Sequence, residues 1–155
     1  MSLVITTPAD PAAEPKLSLG AFWPEVTPAE VRAEAGIDGS VESGRFMALL
    51  KEAMAQVEDE LAAWRQGMEA AGHATLADVP AAAIGEESVK VLRYRRALAC
   101  HVKAQAAERY RDFSATGAGD KKADAQDPTI DDLLRDYRAA IADIQGKPRT
   151  VVELI

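Results

Sequence analysis

Glu86–Ser114, EESVKVLRYRRALACHVKAQAAERYRDFS, is the stretch that decides the fold of this chain. It holds no proline and no glycine, and about eight helical turns fit into it. Successive steps of about 100° bring Val91, Leu92, Tyr94, Leu98, Ala99, Val102, Ala106, Tyr110 and Phe113 onto one sector roughly 160° wide. A sector that broad predicts contact with more than one neighbouring element. Arg95 and Arg109 fall inside it, where a guanidinium needs carboxylate or carbonyl partners. Both are therefore candidate buried or interface arginines.

Upstream, the spacing predicts a second long helix from Ser43 to Ala71. Leu50, Met54, Val57, Leu61, Trp64 and Met68 alternate four and three residues apart, a seam of heptad type. Lys51, Glu52, Glu58, Asp59 and Arg65 occupy the opposite side, and Gly72 supplies the stop. The connector between the two helices, residues 72–85, is long enough to reverse the chain. An antiparallel hairpin roughly 40 Å long follows, with Glu86 and Glu87 at the positive end of the second helix.

Outside this pair lie shorter signals. Thr27-Pro28-Ala29-Glu30 reads as a helix start with a capping box, flanked by Val26 and Val31 as a staple, and Gly36 ends that helix. Asp127 as N-cap and Pro128 in the first turn open a last helix, whose apolar positions are Ile130, Leu133, Leu134, Tyr137, Ile141 and Ile144 and which closes at Gly146. Residues 1–24, with four prolines, read as an extended arm carrying apolar handholds at Leu3-Val4-Ile5 and Phe22-Trp23. Residues 149–155, RTVVELI, read as an apolar tail. The predicted architecture is all-α: an elongated antiparallel hairpin, a third long helix, a short N-terminal helix, and extended arms at both ends. The predicted division is 1–24 arm, 25–148 helical domain and 149–155 tail.

The totals narrow the function. Twenty-five acids against 18 bases give a net charge of −7, which disfavours a protein that grips nucleic acid through its phosphates. Alanine is abundant and only 5% of residues are aromatic, so helices pack closely and little bulk remains to wall a large ligand cavity. One cysteine, Cys100, excludes an internal disulfide. No apolar run approaches ~20 residues, so no membrane span is expected, and the first residues lack the pattern of a secretory signal.

Chemistry is not apparent in the residues. The zinc-protease, nucleophile-elbow, Walker and dinucleotide motifs are absent. His73 and His101 with Cys100 do not make a zinc set, and His101 reads as a helix-flank residue. The segment Asp120-Lys121-Lys122-Ala123-Asp124 lacks phosphate-loop and calcium-loop spacing and reads as an exposed loop. No catalytic residue, metal or cofactor is expected. Arg93, Arg95 and Arg96 are expected to pair with carboxylates.

Several segments, taken together, resemble the head-completion protein L family of P2-like tailed phages. They are Phe22-Trp23-Pro24, Thr75–Pro80, Glu87–Val91, Glu108–Arg111, Gly119–Asp124, Thr129–Leu133 and Ile144–Arg149, in the family's order over residues 22–155. The resemblance implies a structural, non-enzymatic protein that joins the portal vertex after DNA packaging, helps retain DNA and presents a surface for tail attachment. Implied partners are the portal protein, a tail-side completion or terminator protein, and further copies in a ring with the portal's twelvefold symmetry. DNA passes nearby without specific binding, and no membrane is involved. The implied location is the head–tail connector of the virion, after assembly in the host cytoplasm. Within that frame, Arg149, Val151, Val152, Leu154 and Ile155, with Phe22 and Trp23, are the expected portal or subunit contacts. A helical interaction or regulatory module unrelated to capsids is the second reading.

Overall fold

The computed structural model describes residues 14–109 and 128–148. Among them are four α-helices: α1 (Pro28–Ala35), α2 (Ser43–Ala70), α3 (Val89–Arg109) and α4 (Ile130–Gln145). A 3₁₀ turn at Leu76–Asp78 and a two-stranded hairpin, β1 (Ala83–Ile84) and β2 (Glu87–Ser88), fill the connection between α2 and α3. The fold is all-α, with this small sheet as an appendage.

Helix α3 is the axis of the packing and touches the other three helices. Ala97, Leu98, Ala99, Cys100, His101 and Val102 are buried in succession, so this part of the helix has no solvent face. A helix closed on every side needs small residues to let its neighbours approach, and Ala97, Ala99, Ala104 and Ala106 supply them. The single-sector reading therefore named only part of the core. His101 is the main correction: it is a buried residue, not a helix-flank one.

Pairwise contacts fix the directions of the helices. Lys90 meets Ile144, Arg93 meets Asp143 and Arg96 meets Asp136, so α3 and α4 run antiparallel. Lys90 lies over Trp64, and Tyr94 stacks on Trp23, which bonds Glu58; α2 is thus antiparallel to α3 as well. The heptad seam of α2 faces inward: Leu50, Met54, Val57 and Leu61 are buried, while Trp64 and Met68 pack partly buried against the cluster. Glu58 and Arg65, placed on the outer side by the sequence, are instead half-buried partners.

Helix ends follow local chemistry, with three departures from expectation. Thr27 and Pro28 open α1, but the Thr27 side chain makes no capping bond, and Glu30 reaches Arg95 on α3 instead. Helix α4 is capped by Thr129 rather than Asp127, with Asp132 completing a reciprocal capping box. Helix α3 begins at Val89, because Gly85 and Glu86 form the tip of the β-hairpin and Glu87 and Ser88 pair with Ile84 and Ala83. Gly85 has φ +63°, a conformation a side chain would strain.

The part of the N-terminal segment within the described residues is folded, not extended. Leu17 and Val26 exchange two backbone hydrogen bonds of 2.9 and 2.8 Å, closing a loop. That loop drives Phe22 and Trp23 into the core, where they are 3% and 4% exposed.

Candidate interaction surfaces

Two polar clusters shape what the molecule can present. The first is internal. Arg32, near the end of α1, donates from Nε and Nη2 to the Glu14 carboxylate at 2.5–3.0 Å. It also donates to the carbonyls of Asp38 and Val41 at 3.0 and 3.1 Å, and lies 3.9 Å above the Phe46 ring. Ser43, at the start of α2, donates to Glu14 at 2.9 Å. Both charged side chains are 3% exposed. Burial alone pushes the Glu14 carboxyl up, but the hydrogen bonds from Arg32 and Ser43 and the Arg32 charge leave it below its ordinary value. The cluster ties the N-terminal segment, α1, the α1–α2 linker and α2 together. No local pattern announces it, because Arg32 and Glu14 stand 18 positions apart with no periodic signal between them.

The second lies on α3 and is exposed. Arg96 pairs with Asp136 at 3.0 Å, and Arg93 pairs with Asp143. These four residues, with Ala139 and Ala140, line an open groove between α3 and α4. Each guanidinium there already faces a carboxylate, so the groove has no net charge to attract an anion. Arg95 is half-buried and pairs with Glu87 at 2.5 Å and Glu30 at 3.4 Å. Its carboxylate partners are as expected, but it is not a buried residue. Arg109 is exposed at the last position of α3, which removes the reading of it as a buried polar contact.

Buried ionisable groups are few. The Cys100 thiol is pushed up by burial, which keeps it protonated and inert. Burial pushes His101 down, against the opposing pull of Glu52, Glu60 and Glu108. Its ring lies 5.1 Å from that of Tyr137, whose hydroxyl donates to Glu60 at 3.0 Å. Among the described residues no group of three or more His, Cys, Asp or Glu is placed to hold a metal ion. No described helix is long and apolar enough to cross a membrane.

Of the expected contact residues, Phe22 and Trp23 have no surface left for a neighbour. Trp23 stacks on Tyr94 at 5.0 Å and donates from its indole to Glu58, while Phe22 sits edge-on to both Trp23 and Trp64. The Phe22 carbonyl accepts from the Leu76 N–H at 2.8 Å. Arg149, Val151, Val152, Leu154, Ile155 and the loop residues Asp120, Lys121, Lys122 and Asp124 lie outside the described residues. One exposed apolar side chain was missed: Ile84 at the hairpin, 68% exposed, the only large hydrophobic so exposed among the described residues. Its setting, an alanine run ended by Ile-Gly, was a legible signal for a turn that presents an apolar tip.

The groove arginines are thus already paired, and Ile84 is the one large hydrophobic left exposed among the described residues. Comparison with known proteins supplies the class. The model of the family described as phage head completion protein (GPL) matches residues 17–155. The head completion/stabilization protein of Escherichia phage P2 is 43% identical over 154 residues, covering 99% of this chain and 90% of that protein. No solved structure matches. The chain belongs to the phage head completion protein family. That family is one of structural phage head completion proteins, which is not an enzyme class.

Proposed function

We propose that this protein completes the head by binding the portal vertex of the filled capsid, where copies form a ring that helps hold DNA and carries the tail-attachment surface. The observation that carries this reading is the match to a head completion/stabilization protein over nearly the whole chain. Its physical support is threefold. Net charge of −7 lets a ring subunit line a DNA channel without trapping DNA, since like charges repel. The buried axis of α3 makes each subunit a stiff post. The sequence from Val151 to Ile155 supplies an apolar extension suited to the portal or an adjacent subunit. Arg109, exposed at the end of α3, is available to a neighbouring copy. A ring on a portal takes the portal's symmetry, here twelvefold, and its outer end meets a tail-side completion or terminator protein. Assembly occurs in the host cytoplasm and ends in the virion.

Electron microscopy of DNA-filled particles made with and without this protein tests the proposal. A ring of density beneath the portal, present only when the protein is supplied, is the expected result. Removal of residues 150–155 is expected to abolish co-sedimentation with portal-bearing capsids; undiminished binding would reject the role assigned to the tail.

A further inference from the structure

The β1–β2 hairpin is a fragment of a sheet. Each strand has two residues, and an isolated two-stranded hairpin is marginal in water. The Val89 N–H donates to the Ala82 carbonyl, and Ile84 pairs with Glu87. In an antiparallel ladder the residue between two hydrogen-bonded positions turns its backbone groups the other way, so those of Ala83 point to the outer edge of β1. Residues 81–84 are all exposed along that edge. An edge strand is normally protected by being short, charged or covered; this one is short, but it carries no charge, only Ala81, Ala82, Ala83 and Ile84.

The end of α4 lies close by. Lys90, two residues after β2, donates from Nζ to the Ile144 carbonyl at 2.5 Å, and the described chain ends at Pro148. Residues 149–155 reach about 23 Å when extended, far enough to run along the hairpin. Their sequence, Arg149-Thr150-Val151-Val152-Glu153-Leu154-Ile155, is rich in β-branched and apolar residues, and proline precedes it.

We propose that residues 149–155 dock on the hairpin of their own chain, adding to the outer edge of β1 as a third strand that covers Ile84. Strand alternation separates the tail's side chains into two sets, Val152 with Leu154 and Val151 with Ile155. One set lies over Ile84 and the other faces outward. The outward set remains free for a portal or subunit contact; that last point rests on the proposed function, whereas the docking does not.

Hydrogen exchange by NMR on the isolated full chain, compared with a chain ending at Pro148, tests the docking without capsids. Loss of the tail is expected to speed exchange of the Ala83 amide about tenfold, the effect of one net hydrogen bond, with α3 amides unchanged. Equal Ala83 exchange in the two chains, or acceleration spread over α3, overturns the proposal. A second test pairs Ile84→Cys with one position from each set, Leu154→Cys or Val151→Cys, in a Cys100→Ala background, oxidised in dilute solution. A crosslinked monomer from either pair supports docking in the same chain. Crosslinked dimers, which would assign the hairpin to a second copy, or no crosslink from either pair, overturn it.

Discussion

The arginine of α1 and the arginines of α3 sit in opposite circumstances, and the contrast runs against their sequence positions. Arg32 belongs to a short helix with little amphipathic character, yet it is 3% exposed and bonded to a carboxylate and two carbonyls. Arg96 belongs to the most buried helix of the fold, yet its side chain is 57% exposed in a simple surface pair. Helix periodicity governs how apolar residues are placed. An arginine's burial is decided instead by irregular segments, here residues 14–26 and the α1–α2 linker, that bring carbonyls and a carboxylate to meet it. Such clusters hold segments that have little apolar surface of their own.

The largest effect expected from this contrast is at Arg32. Arg32→Ala leaves the Glu14 carboxylate buried without its counter-charge and should cost about 3–5 kcal/mol, read from urea unfolding. Replacing both partners, Arg32→Met with Glu14→Gln, should recover most of that loss, because a buried ion pair is worth far less than the cost of breaking half of it. If Arg32→Ala shifted the midpoint no more than a surface substitution does, the clamp would be no clamp.

Acid separates a buried pair from a buried neutral group. Glu14 has its pKa lowered on folding, so its contribution is complete above the unfolded value of 4.5 and is lost as pH falls through the lower folded value. His101 is also lowered, by burial, from 6.5; its neutral form is favoured in the fold, so its contribution is complete above pH 6.5 and is lost as pH falls below that. Unfolding midpoints should therefore begin to fall below pH 6.5, no more steeply than about 1.4 kcal/mol per pH unit for one proton. His101→Phe, which keeps a ring against Tyr137, should remove that first decline and leave the one below pH 4.5. A pH profile identical to the parent's would mean the imidazole is not the group that titrates.

The same contrast explains what the sequence could disclose. The seam from Leu50 to Leu61, the inward face of α4 and the stops at Gly36 and Gly146 were legible because periodicity and φ preference act within a few residues. The enclosure of α3 between Ala97 and Val102 was only half legible, since a stretch of helix covered on all sides erases its own stripe. Phe22 and Trp23 looked like handholds on an arm because the Leu17–Val26 bridge that folds them inward joins residues nine apart without any pattern. The Glu14–Arg32 clamp and the β-hairpin depend on tertiary proximity, which acts between positions that no local rule connects. The family resemblance read from dispersed segments held over residues 17–155, since shared ancestry leaves its record in many small matches.

The smallest expected effect lies on α3. Arg96→Ala removes an ion pair with Asp136 whose two side chains are 57% and 39% exposed, and water replaces most of what is lost. The change should stay within about 1 kcal/mol, and a double-mutant cycle with Asp136→Ala should give a coupling energy that shrinks as salt rises. The groove that this pair borders with Arg93 and Asp143 would then be held by its alanines and the packing beneath, not by its charges. A coupling energy as large as that at Arg32, and insensitive to salt, would place Arg96 in a drier setting than an isolated subunit provides. That outcome would point to the α3–α4 groove as a face that neighbours cover in the ring.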